Sequence, residues 1–290
     1  MKTTRKQLSY LDNKAAPPLK WAGGKSWLAP TLRKRLAGHK GRLVLPFCGG
    51  LGDVLGLWPQ RALLNDANPH LINFYRWWAC GQVTVDGPVS FSHDETTYYQ
   101  NRRRFVELTT DPKEPDGAVS LEAAALFYYL NRTGFNGLCR FNQDGGYNVP
   151  YGRREKKGGK PLPPLDYSFW LTGYKLPPGW SFTCGDFAAL CVLHYAYGDI
   201  PADIIYADPP YDGTFTDYRA GGFSWVDQLR LVNWLSRHQG PVVASNAATD
   251  RIVKLYQAHG FTVERVEGPR AIACNGDRTP VLEMLATKNL

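Results

Sequence analysis

The sequence predicts an α/β protein with a doubly wound, mostly parallel sheet and a mainly helical domain inserted into it. Short apolar runs alternate with amphipathic segments in the first and last parts of the chain, as in strand–helix–strand units. The middle of the chain is polar, basic and rich in loops. We therefore assign residues 1–78 and 166–290 to one α/β domain and residues 79–165 to the insert.

The first segment of the α/β domain contains two strand–helix pairs. Residues 26–37 carry apolar side chains at helical spacing, and residues 42–47 form a short apolar run bounded by glycine. Residues 61–66 repeat the strand pattern, and residues 69–78 are predicted to be helical. The order is thus helix, strand, strand, helix.

The insert contains one clear helix, over residues 119–131, with Ser120 as its expected N-cap. Residues 86–117 before it are polar, and the segment 131–160 after it is a loop rich in Asn, Gly, Arg and aromatic residues. The remainder of the α/β domain returns to alternation. Strands are expected in 180–187, 202–211, 240–246, 261–268 and 280–288, and helices in 225–238 and 249–259.

Composition narrows the class of protein. The 290 residues carry a net charge of +8 with a pI near 9.1, which favours a polyanionic partner. The six cysteines lack C-x-x-C and zinc-type spacing, so we expect free buried thiols and no metal site. Neither a signal peptide nor a membrane-spanning run is visible, and we expect a cytoplasmic protein.

The segment KWAGGKS, residues 20–26, resembles the end of a phosphate-binding loop. That motif requires a further glycine five residues before its Gly-Lys-Ser, and Leu19 occupies the position. A side chain there is incompatible with backbone wrapping around phosphates. The sequence therefore argues against an ATP-hydrolysing module.

Two motifs follow the first two predicted strands. The first strand runs into Gly49, Gly50 and Gly52, which let a ligand approach the backbone at the carboxyl end of a strand. Asp66 ends the next strand, where a carboxylate can accept both hydroxyl groups of a ribose. An ordinary glycine turn, and a helix cap by Asp66 or Asn68, are the alternatives. Together the motifs favour a site for a nucleoside cofactor.

The most informative motif is ADPPY, in which an apolar strand ends at Asp208. The exocyclic amine of a nucleic-acid base is a poor nucleophile because its lone pair is delocalised into the ring. Two acceptors that bind its hydrogens, the Asp208 carboxylate and the Pro209 carbonyl, would localise that lone pair. Proline rings at 209 and 210 fix the direction of the carbonyl, and Tyr211 offers a ring on which an extruded base can stack. An ordinary Pro-Pro turn is the alternative.

Taken together, the motifs KWAGGK, PFCGG, NDAN, LNRTGFNGLCRFN, NVPYGR, ADPPY and SNAAT resemble the DNA adenine methyltransferase (Dam) family in order and nearly in spacing. The late segment CNGDRTPVLEMLA resembles the closing strands of that family, so the resemblance covers residues 17–288. It implies a Rossmann-like methyltransferase fold, S-adenosylmethionine as the methyl donor and N6 of a flipped adenine in double-stranded DNA as the acceptor. A short palindrome such as GATC is the recognition site that it suggests.

The resemblance also assigns residues to roles. The target base and its amine are expected at Asp208, Pro209, Pro210 and Tyr211. The cofactor is expected at Trp21, Ala22, Gly23, Lys25, Phe47, Gly49, Gly50, Asp66, Asp186 and Phe187, although a helix cap and a core aromatic are alternatives for the last two. DNA contacts are expected from Lys20, Phe135, Asn136, Leu138, Arg140, Asn142, Asn148 and Arg153.

Within the DNA set, Arg140 can make a bidentate contact to a guanine edge. Phe135 occupies the position of an aromatic wedge that enters the base stack during extrusion, with Leu138 beside it. Asn142, Asn148 and Arg153 are interpreted as phosphate contacts, and a solvated charge run is the alternative for residues near Arg153.

The chain departs from the family pattern at three positions. Leu45 stands where the family usually has an acid that faces the amino end of the cofactor, and Asp53 is a candidate substitute. Ala247 and Ala248 replace more polar residues. These departures allow a weakly active or inactive DNA-binding protein as one alternative; methylation of cytosine N4 or of RNA is another. We expect a monomer.

Overall fold

The structure is a computed structural model that describes residues 17–84, 87, 89–111, 117–152, 176–190, 203–212, 222–269 and 281–290. Seven strands lie within these ranges: β1 Leu43–Leu45, β2 Arg61–Asp66, β3 Gly179–Cys184, β4 Ile204–Ala207, β5 Val242–Ala247, β6 Thr262–Gly268 and β7 Val281–Lys288. Seven α-helices accompany them: α1 Ala29–Arg35, α2 Gly52–Leu57, α3 Pro69–Ala79, α4 Glu95–Thr110, α5 Leu121–Thr133, α6 Trp225–Arg237 and α7 Asp250–Ala258.

The seven strands form one sheet in the order β3-β2-β1-β4-β5-β7-β6. The first five pair in parallel, whereas β7 is antiparallel to both β5 and β6. The chain moves outward in one direction from β1 and in the other from β4, so the topological switch point lies between these two strands. The predicted fold class, a doubly wound and mostly parallel α/β sheet, is confirmed.

Strand residues alternate between two hydrophobic clusters, one on each face of the sheet. Leu43 and Leu45 pack into the cluster that contains α2, α3 and α5. Val44, between them, packs into the cluster formed with α6 and α7. This period of two buries β1 on both faces, as expected for a central parallel strand.

Helices α4 and α5 of the predicted insert pack against α3. Phe105 of α4 and Phe127 and Tyr128 of α5 belong to the same buried cluster as Leu45 of the sheet. The ring of Tyr128 stacks on Phe74 of α3 with centroids 5.5 Å apart. The described part of the insert thus shares a core with the α/β body, and the domain boundaries stay a prediction.

Most predicted elements are present, and the differences have physical causes. Residues 26–37 form a 3₁₀ turn, Ser26–Leu28, followed by α1, whose start is set by Pro30. The first strand stops at Leu45 because Pro46 has no N–H for the ladder. Ser120 caps α5 by accepting from the Ala123 N–H at 3.1 Å, as predicted.

Two helices fall where the sequence indicated none. Gly52 was interpreted as part of a glycine turn, yet it begins α2 after Leu51, which adopts a left-handed φ of 60°. Helix α4 lies within the polar segment 86–117, capped by Asp94, whose side chain accepts from the Thr97 N–H. The few buried positions of α4, Tyr98, Phe105 and Leu108, were too sparse to show a periodic pattern.

The cysteine prediction holds in part. All four described cysteines are free, and Cys48 and Cys139 are buried. Cys80 and Cys184 are exposed, because they lie at the ends of α3 and β3, so the prediction of burial is wrong for these two. Cys191 and Cys274 lie outside the described residues.

Candidate active site

The loops that follow β1 and β4 meet at the switch point of the sheet. In doubly wound folds this crevice, at the carboxyl ends of the strands, is where ligands bind. The loop after β1 contains Phe47, Gly49 and Gly50, and the loop after β4 contains Asp208 and Tyr211. The sheet topology therefore brings the two strongest sequence motifs together.

Trp21 of the KWAGGK loop packs against the glycines that follow β1. A Cβ added at Gly50 would lie 2.5 Å from the Trp21 Cβ, closer than packing permits. Gly49 has a left-handed φ of +44°, and its added Cβ would lie 3.2 Å from the Trp21 ring. Both glycines thus allow this contact. Leu19, which excluded the phosphate-loop interpretation, is a buried core residue.

The Asp66 carboxylate joins the loops after β1 and β2. Its Oδ2 accepts from the Gly49 N–H and its Oδ1 from the Asn68 N–H, both at 3.0 Å. Burial raises the pKa of Asp66, and these backbone donors oppose the rise. The cap of α3 is Asn68, whose side chain accepts from His70 and Leu71, so this alternative is confirmed for Asn68.

An aromatic cluster lies beside this loop. Phe47 is 5.5 Å from both Phe187 and Phe223, measured between ring centroids. Phe187 is buried, and the Arg230 guanidinium lies 5.0 Å from its ring centroid. Asp186 accepts from the Ala188 N–H at 2.8 Å and pairs with Arg230 at 3.0 Å. The geometry therefore gives Asp186 a capping role and Phe187 a packing role, both alternatives raised by the sequence.

Asp208 stands at the end of β4 with its carboxylate held from two sides. Ser245 of β5 donates its hydroxyl to Oδ1 at 2.6 Å. The Lys25 ammonium lies 3.8 Å from the same oxygen. Burial raises the pKa of Asp208, while Lys25 and the Ser245 hydrogen bond lower it. Asp208 is thus a half-buried proton acceptor with a fixed orientation.

A chain of buried amides braces the loop after Asp208. Gln228 of α6 donates to the Pro210 carbonyl at 3.0 Å, and Asn246 of β5 donates to Gln228 at 3.0 Å. The Asn246 Oδ1 in turn accepts from the Asp212 N–H at 3.1 Å. Gln228 is 1% exposed and Asn246 is fully buried, so these bonds are shielded from water. The backbone around Tyr211 is held on both sides.

Tyr211 and Lys25 meet at a further carboxylate, that of Glu283 on β7. The Tyr211 hydroxyl donates to Glu283 Oε2 at 2.7 Å. The Lys25 ammonium lies 3.4 Å from both oxygens of Glu283 and 4.4 Å from the centroid of the Tyr211 ring. Lys25, itself a predicted cofactor residue, thus contacts the predicted base-binding residues Asp208 and Tyr211.

The departures from the family pattern have a structural counterpart. Leu45 is fully buried in the hydrophobic cluster, so it presents nothing to the crevice. Asp53 of α2 is 5% exposed and accepts from the Val54 N–H. Burial and then the charge of Asp208 raise the pKa of Asp53 to about 7, while Lys25 lowers it. The carboxylate of Asp53 is therefore electrostatically coupled to the site. Ala247 and Ala248 are half-buried at the end of β5.

The predicted DNA-contact segment follows α5 and is joined to the KWAGGK loop. Asn131 accepts from the Lys20 N–H at 2.8 Å and donates to the Lys20 carbonyl at 2.8 Å. Gly137, at φ +64°, passes so close that an added Cβ would lie 2.4 Å from the Lys20 Cβ. The Lys20 ammonium donates to the Arg132 carbonyl at 3.0 Å. Lys20 thus joins the KWAGGK loop to the segment that is predicted to contact DNA.

Arg140 and Asn148 face each other across a hairpin. The Arg140 guanidinium donates to the Asn148 side chain at 2.8 Å and to its carbonyl at 3.3 Å. Asn142 accepts from the Gly146 N–H at 2.6 Å and so closes the turn of the hairpin. Arg140 and Asn142 are exposed, whereas Asn148 is half-buried. The direct role of Asn148 in this geometry is to orient Arg140.

Phe135 and Asn136 form the exposed tip next to this hairpin. The Phe135 side chain is 49% exposed, unusual for a large aromatic residue. Asn136 adopts a left-handed φ of 53°, and Leu138 is half-buried behind the tip. Arg153, the last predicted DNA contact, lies outside the described residues.

Sequence reasoning missed four residues of the site. Ser245 and Asn246 lay in a recognised motif, SNAAT, but received no role. Gln228 and Glu283 are single polar residues in an amphipathic helix and a strand. Their only signal was a polar side chain at a position where the pattern demands an apolar one, since both are buried.

The described residues contain no helix that is both long and apolar enough to cross a membrane.

Comparison with known proteins gives three findings. The chain matches the family model of the D12 class N6 adenine-specific DNA methyltransferases over residues 21–272. It is similar to the retron Ec67 DNA adenine methylase of Escherichia coli, with 33% identity over 280 residues that cover 92% of this chain and 90% of that protein. The DNA adenine methylase of Vibrio cholerae (strain O395) is 32% identical over 280 residues, 92% of this chain and 94% of that protein.

A fourth comparison differs in coverage. The DNA N-6-adenine-methyltransferase of Escherichia phage P1 is 34% identical over 266 residues, which are 89% of this chain and 33% of that protein. The chain thus spans about a third of the length of this phage relative.

Proposed function

This chain belongs to the D12 class of N6 adenine-specific DNA methyltransferases, and from that premise we propose that it transfers a methyl group from S-adenosylmethionine to N6 of a flipped adenine in double-stranded DNA. The observation that carries this proposal is the Asp208–Tyr211 loop. It presents a half-buried carboxylate, a proline-fixed backbone and an aromatic ring at the switch point of the sheet. Each is a group that adenine N6 methylation requires.

The crevice fits the proposed cofactor. The Asp66 carboxylate lies at the end of β2, where a carboxylate can accept ribose hydroxyls, and its two oxygens are held by backbone donors. Phe47 and the loop at Gly49 and Gly50 flank it, and Trp21 and Lys25 lie on the side toward Asp208. When bound, S-adenosylmethionine supplies an electrophilic methyl group on a sulfonium sulfur. Ala22, Gly23, Asp186 and Phe187 complete the proposed cofactor set.

The proposed chemistry rests on two acceptors. The Asp208 carboxylate accepts one N6 hydrogen of adenine and the Pro209 carbonyl accepts the other, which localises the nitrogen lone pair. Pro210 fixes the loop, supported by the Gln228 bond to its carbonyl. Tyr211 stacks on the base. The raised pKa of Asp208 suits a carboxylate that takes up the proton released on methylation.

Recognition is proposed for the exposed hairpin and tip. Arg140, oriented by Asn148, reads a guanine edge. Phe135 enters the stack beside the extruded base, with Asn136 and Leu138 next to it. Lys20, Asn142 and Arg153 contact the backbone of the DNA. The recognition site that we propose is a short palindrome such as GATC, on which the chain acts as a monomer in the bacterial cytoplasm; the relatives named DNA adenine methylase support the adenine as the target.

Mapping methylated bases in a methylase-deficient bacterial host tests the proposal. Long-read sequencing of genomic DNA from cells that express the chain should show N6-methyladenine at one short palindromic motif and at no other. The Asp208→Ala chain is the control and should leave the genome unmethylated. N4-methylcytosine, or an unmethylated genome with a well-expressed chain, would contradict the proposal and favour the cytosine or inactive alternatives.

A further inference from the structure

Glu283 occupies a position in the site that no motif assigned. It lies on β7 opposite Ala247 of β5, and β5 separates β7 from β4, the strand that ends before Asp208. Its side chain is 8% exposed, so its two oxygens meet protein groups rather than water. Those groups are the Tyr211 hydroxyl, at 2.7 Å, and the Lys25 ammonium, at 3.4 Å.

A buried carboxylate of this kind is held in one geometry. Taking a charge out of water is costly unless charged or hydrogen-bonded partners satisfy it. Hydrogen bonds to a charged acceptor are about twice as strong as neutral ones. Gly268 on β6 lies close to this carboxylate, since a Cβ added at Gly268 would lie 2.7 Å from Glu283 Oε1. Glu283 therefore has little freedom to move away from Tyr211 and Lys25.

The orientation of the Tyr211 ring follows from this arrangement. Its backbone end is fixed by the prolines before it, and its hydroxyl end is fixed by Glu283. The Lys25 ammonium, held by the same carboxylate, lies 4.4 Å from the ring centroid and covers one face.

Glu283 also shares Lys25 with Asp208. The ammonium is 3.4 Å from Glu283 and 3.8 Å from Asp208 Oδ1. Without Glu283, the ammonium would pair with Asp208 alone. A carboxylate engaged by a full ion pair is a weaker acceptor for an amine hydrogen, so Glu283 preserves the basic character of Asp208.

We propose that Glu283 is a positioning residue for methyl transfer, which holds Tyr211 and Lys25 as one unit so that the Tyr211 ring keeps one orientation toward the flipped adenine. The inference rests on the proposed function, since it presumes that Tyr211 stacks on the target base.

The test compares single-turnover methyl transfer by the wild-type chain, Glu283→Ala, Tyr211→Phe and the double variant. The substrates are unmethylated plasmid DNA from a methylase-deficient host and saturating tritiated S-adenosylmethionine. Glu283→Ala should slow the methyl-transfer step about 10- to 100-fold, since a hydrogen bond to a charged group is lost. Tyr211→Phe should slow it about 10-fold. DNA affinity should stay within about twofold, because neither substitution removes a side chain that is proposed to contact a guanine edge or the DNA backbone.

The double variant separates positioning from general destabilisation. If Glu283 acts through Tyr211, the double variant should be no more than about twofold slower than Glu283→Ala. Additive losses would overturn the proposal, as would a folded Glu283→Ala chain that retains the wild-type rate. Should Glu283→Ala fail to fold, Tyr211→Phe and Glu283→Gln carry the test. Gln still accepts from the phenol but no longer pairs with Lys25, so Glu283→Gln should also slow methyl transfer, and a wild-type rate for either variant would overturn the proposal.

Glu267→Ala is the matched control. Glu267 is exposed on β6 and pairs in register with Leu282, next to Glu283. It should transfer methyl groups at the wild-type rate. The experiment also separates the two proposals: a wild-type chain that methylates no adenine defeats the proposed function, whereas an active wild type with an equally active Glu283→Ala defeats only the role of Glu283.

Discussion

Two regions use polar residues in opposite ways: the site around Asp208, Tyr211 and Glu283, here called the Asp208 corner, and the hairpin of residues 140–148, here called the Arg140 hairpin. At the corner, Asn246 and Glu283 are shielded from water, Asp208 is half-buried, and all three are hydrogen-bonded to neighbouring protein groups. On the hairpin, Arg140 is exposed and its partner is a single asparagine. The first arrangement fixes atoms in a low-dielectric site, and the second presents a donor to a partner that arrives from solution.

This difference determines what a substitution should change. Electrostatic interactions are strong where water is excluded, so removing a group from the corner should mainly lower the rate of the chemical step. Exposed side chains contribute through the contacts that they make with DNA, so changes on the hairpin should mainly affect which sequence is chosen. The predictions below test whether rate and choice separate in this way.

The largest effect is expected for Asp208→Ala. Loss of the carboxylate removes the acceptor for one amine hydrogen, and such preorganised groups contribute about 10²–10³-fold to catalysis. Methyl transfer should therefore fall about 10²- to 10³-fold in a tritium-transfer assay, with DNA affinity in a gel-shift titration unchanged. Asp250→Asn, on an exposed aspartate at the start of α7, should leave both unchanged. Near-normal turnover of Asp208→Ala would contradict the mechanism.

A smaller effect, of another kind, is expected for Arg140→Ala. A bidentate contact to a base contributes about 1–3 kcal/mol of discrimination, so the preference for the mapped site over single-base variants should fall roughly 5- to 150-fold. The turnover number on the best site should change little. Competition between site variants, read by sequencing, measures the preference. Unchanged preference would move base reading elsewhere in the chain.

Asn148→Ala sharpens the Arg140 experiment. The substitution leaves the guanidinium in place but removes the side chain that orients it. The expected loss of preference has the same direction as that of Arg140→Ala and is smaller. An effect on overall DNA affinity without an effect on preference would instead support the phosphate contact that the sequence suggested.

The sequence predicts the corner better than the hairpin, for a physical reason. Asp208 and Asp66 end apolar strands, and parallel strands bring their carboxyl ends to one edge of a sheet, so chain order alone predicts that they approach. The roles of Asn142 and Asn148 depend on the path of a loop. Their predicted phosphate contacts stay a prediction, and the structure adds that they close a turn and orient Arg140.

The bracing residues could not be predicted from the motifs. Gln228 and Glu283 come from elements distant in sequence, and their contacts with Pro210 and Tyr211 depend on how α6 and β7 pack. The antiparallel insertion of β7 between β5 and β6 is a matter of pairing that strand patterns do not encode. Helix α2 was missed for two reasons. The glycines around Leu51 indicated a turn, and a left-handed conformation, which Leu51 adopts before the helix, is one that a leucine rarely takes.

The smallest effect is expected for Asp53, whose substitution should change the pH dependence of the unfolding free energy rather than the reaction. Its pKa is raised to about 7 by burial and by Asp208, so the folded chain binds a proton that the unfolded chain releases near pH 4. Stability is therefore highest below pH 4 as far as Asp53 is concerned, and it falls as the pH rises to 7. One proton corresponds to about 1.4 kcal/mol per pH unit. Asp53→Asn should reduce the slope of unfolding free energy between pH 5 and 7 by about that amount, measured in urea titrations.

Asp94→Asn is the counterpart of Asp53→Asn in the exposed part of the molecule. Hydrogen bonds from Ser92 and Thr97 lower the pKa of Asp94 to about 2, so it is ionised in both states between pH 5 and 7. Its substitution should leave the slope in that range unchanged. Because desolvation raises the pKa of Asp53, whereas hydrogen-bond donors lower the pKa of Asp94, a half-buried cap, the two variants should diverge as pH rises. Equal slopes for all three chains would mean that Asp53 is not held in the dry, Asp208-coupled position on which its role in the corner depends.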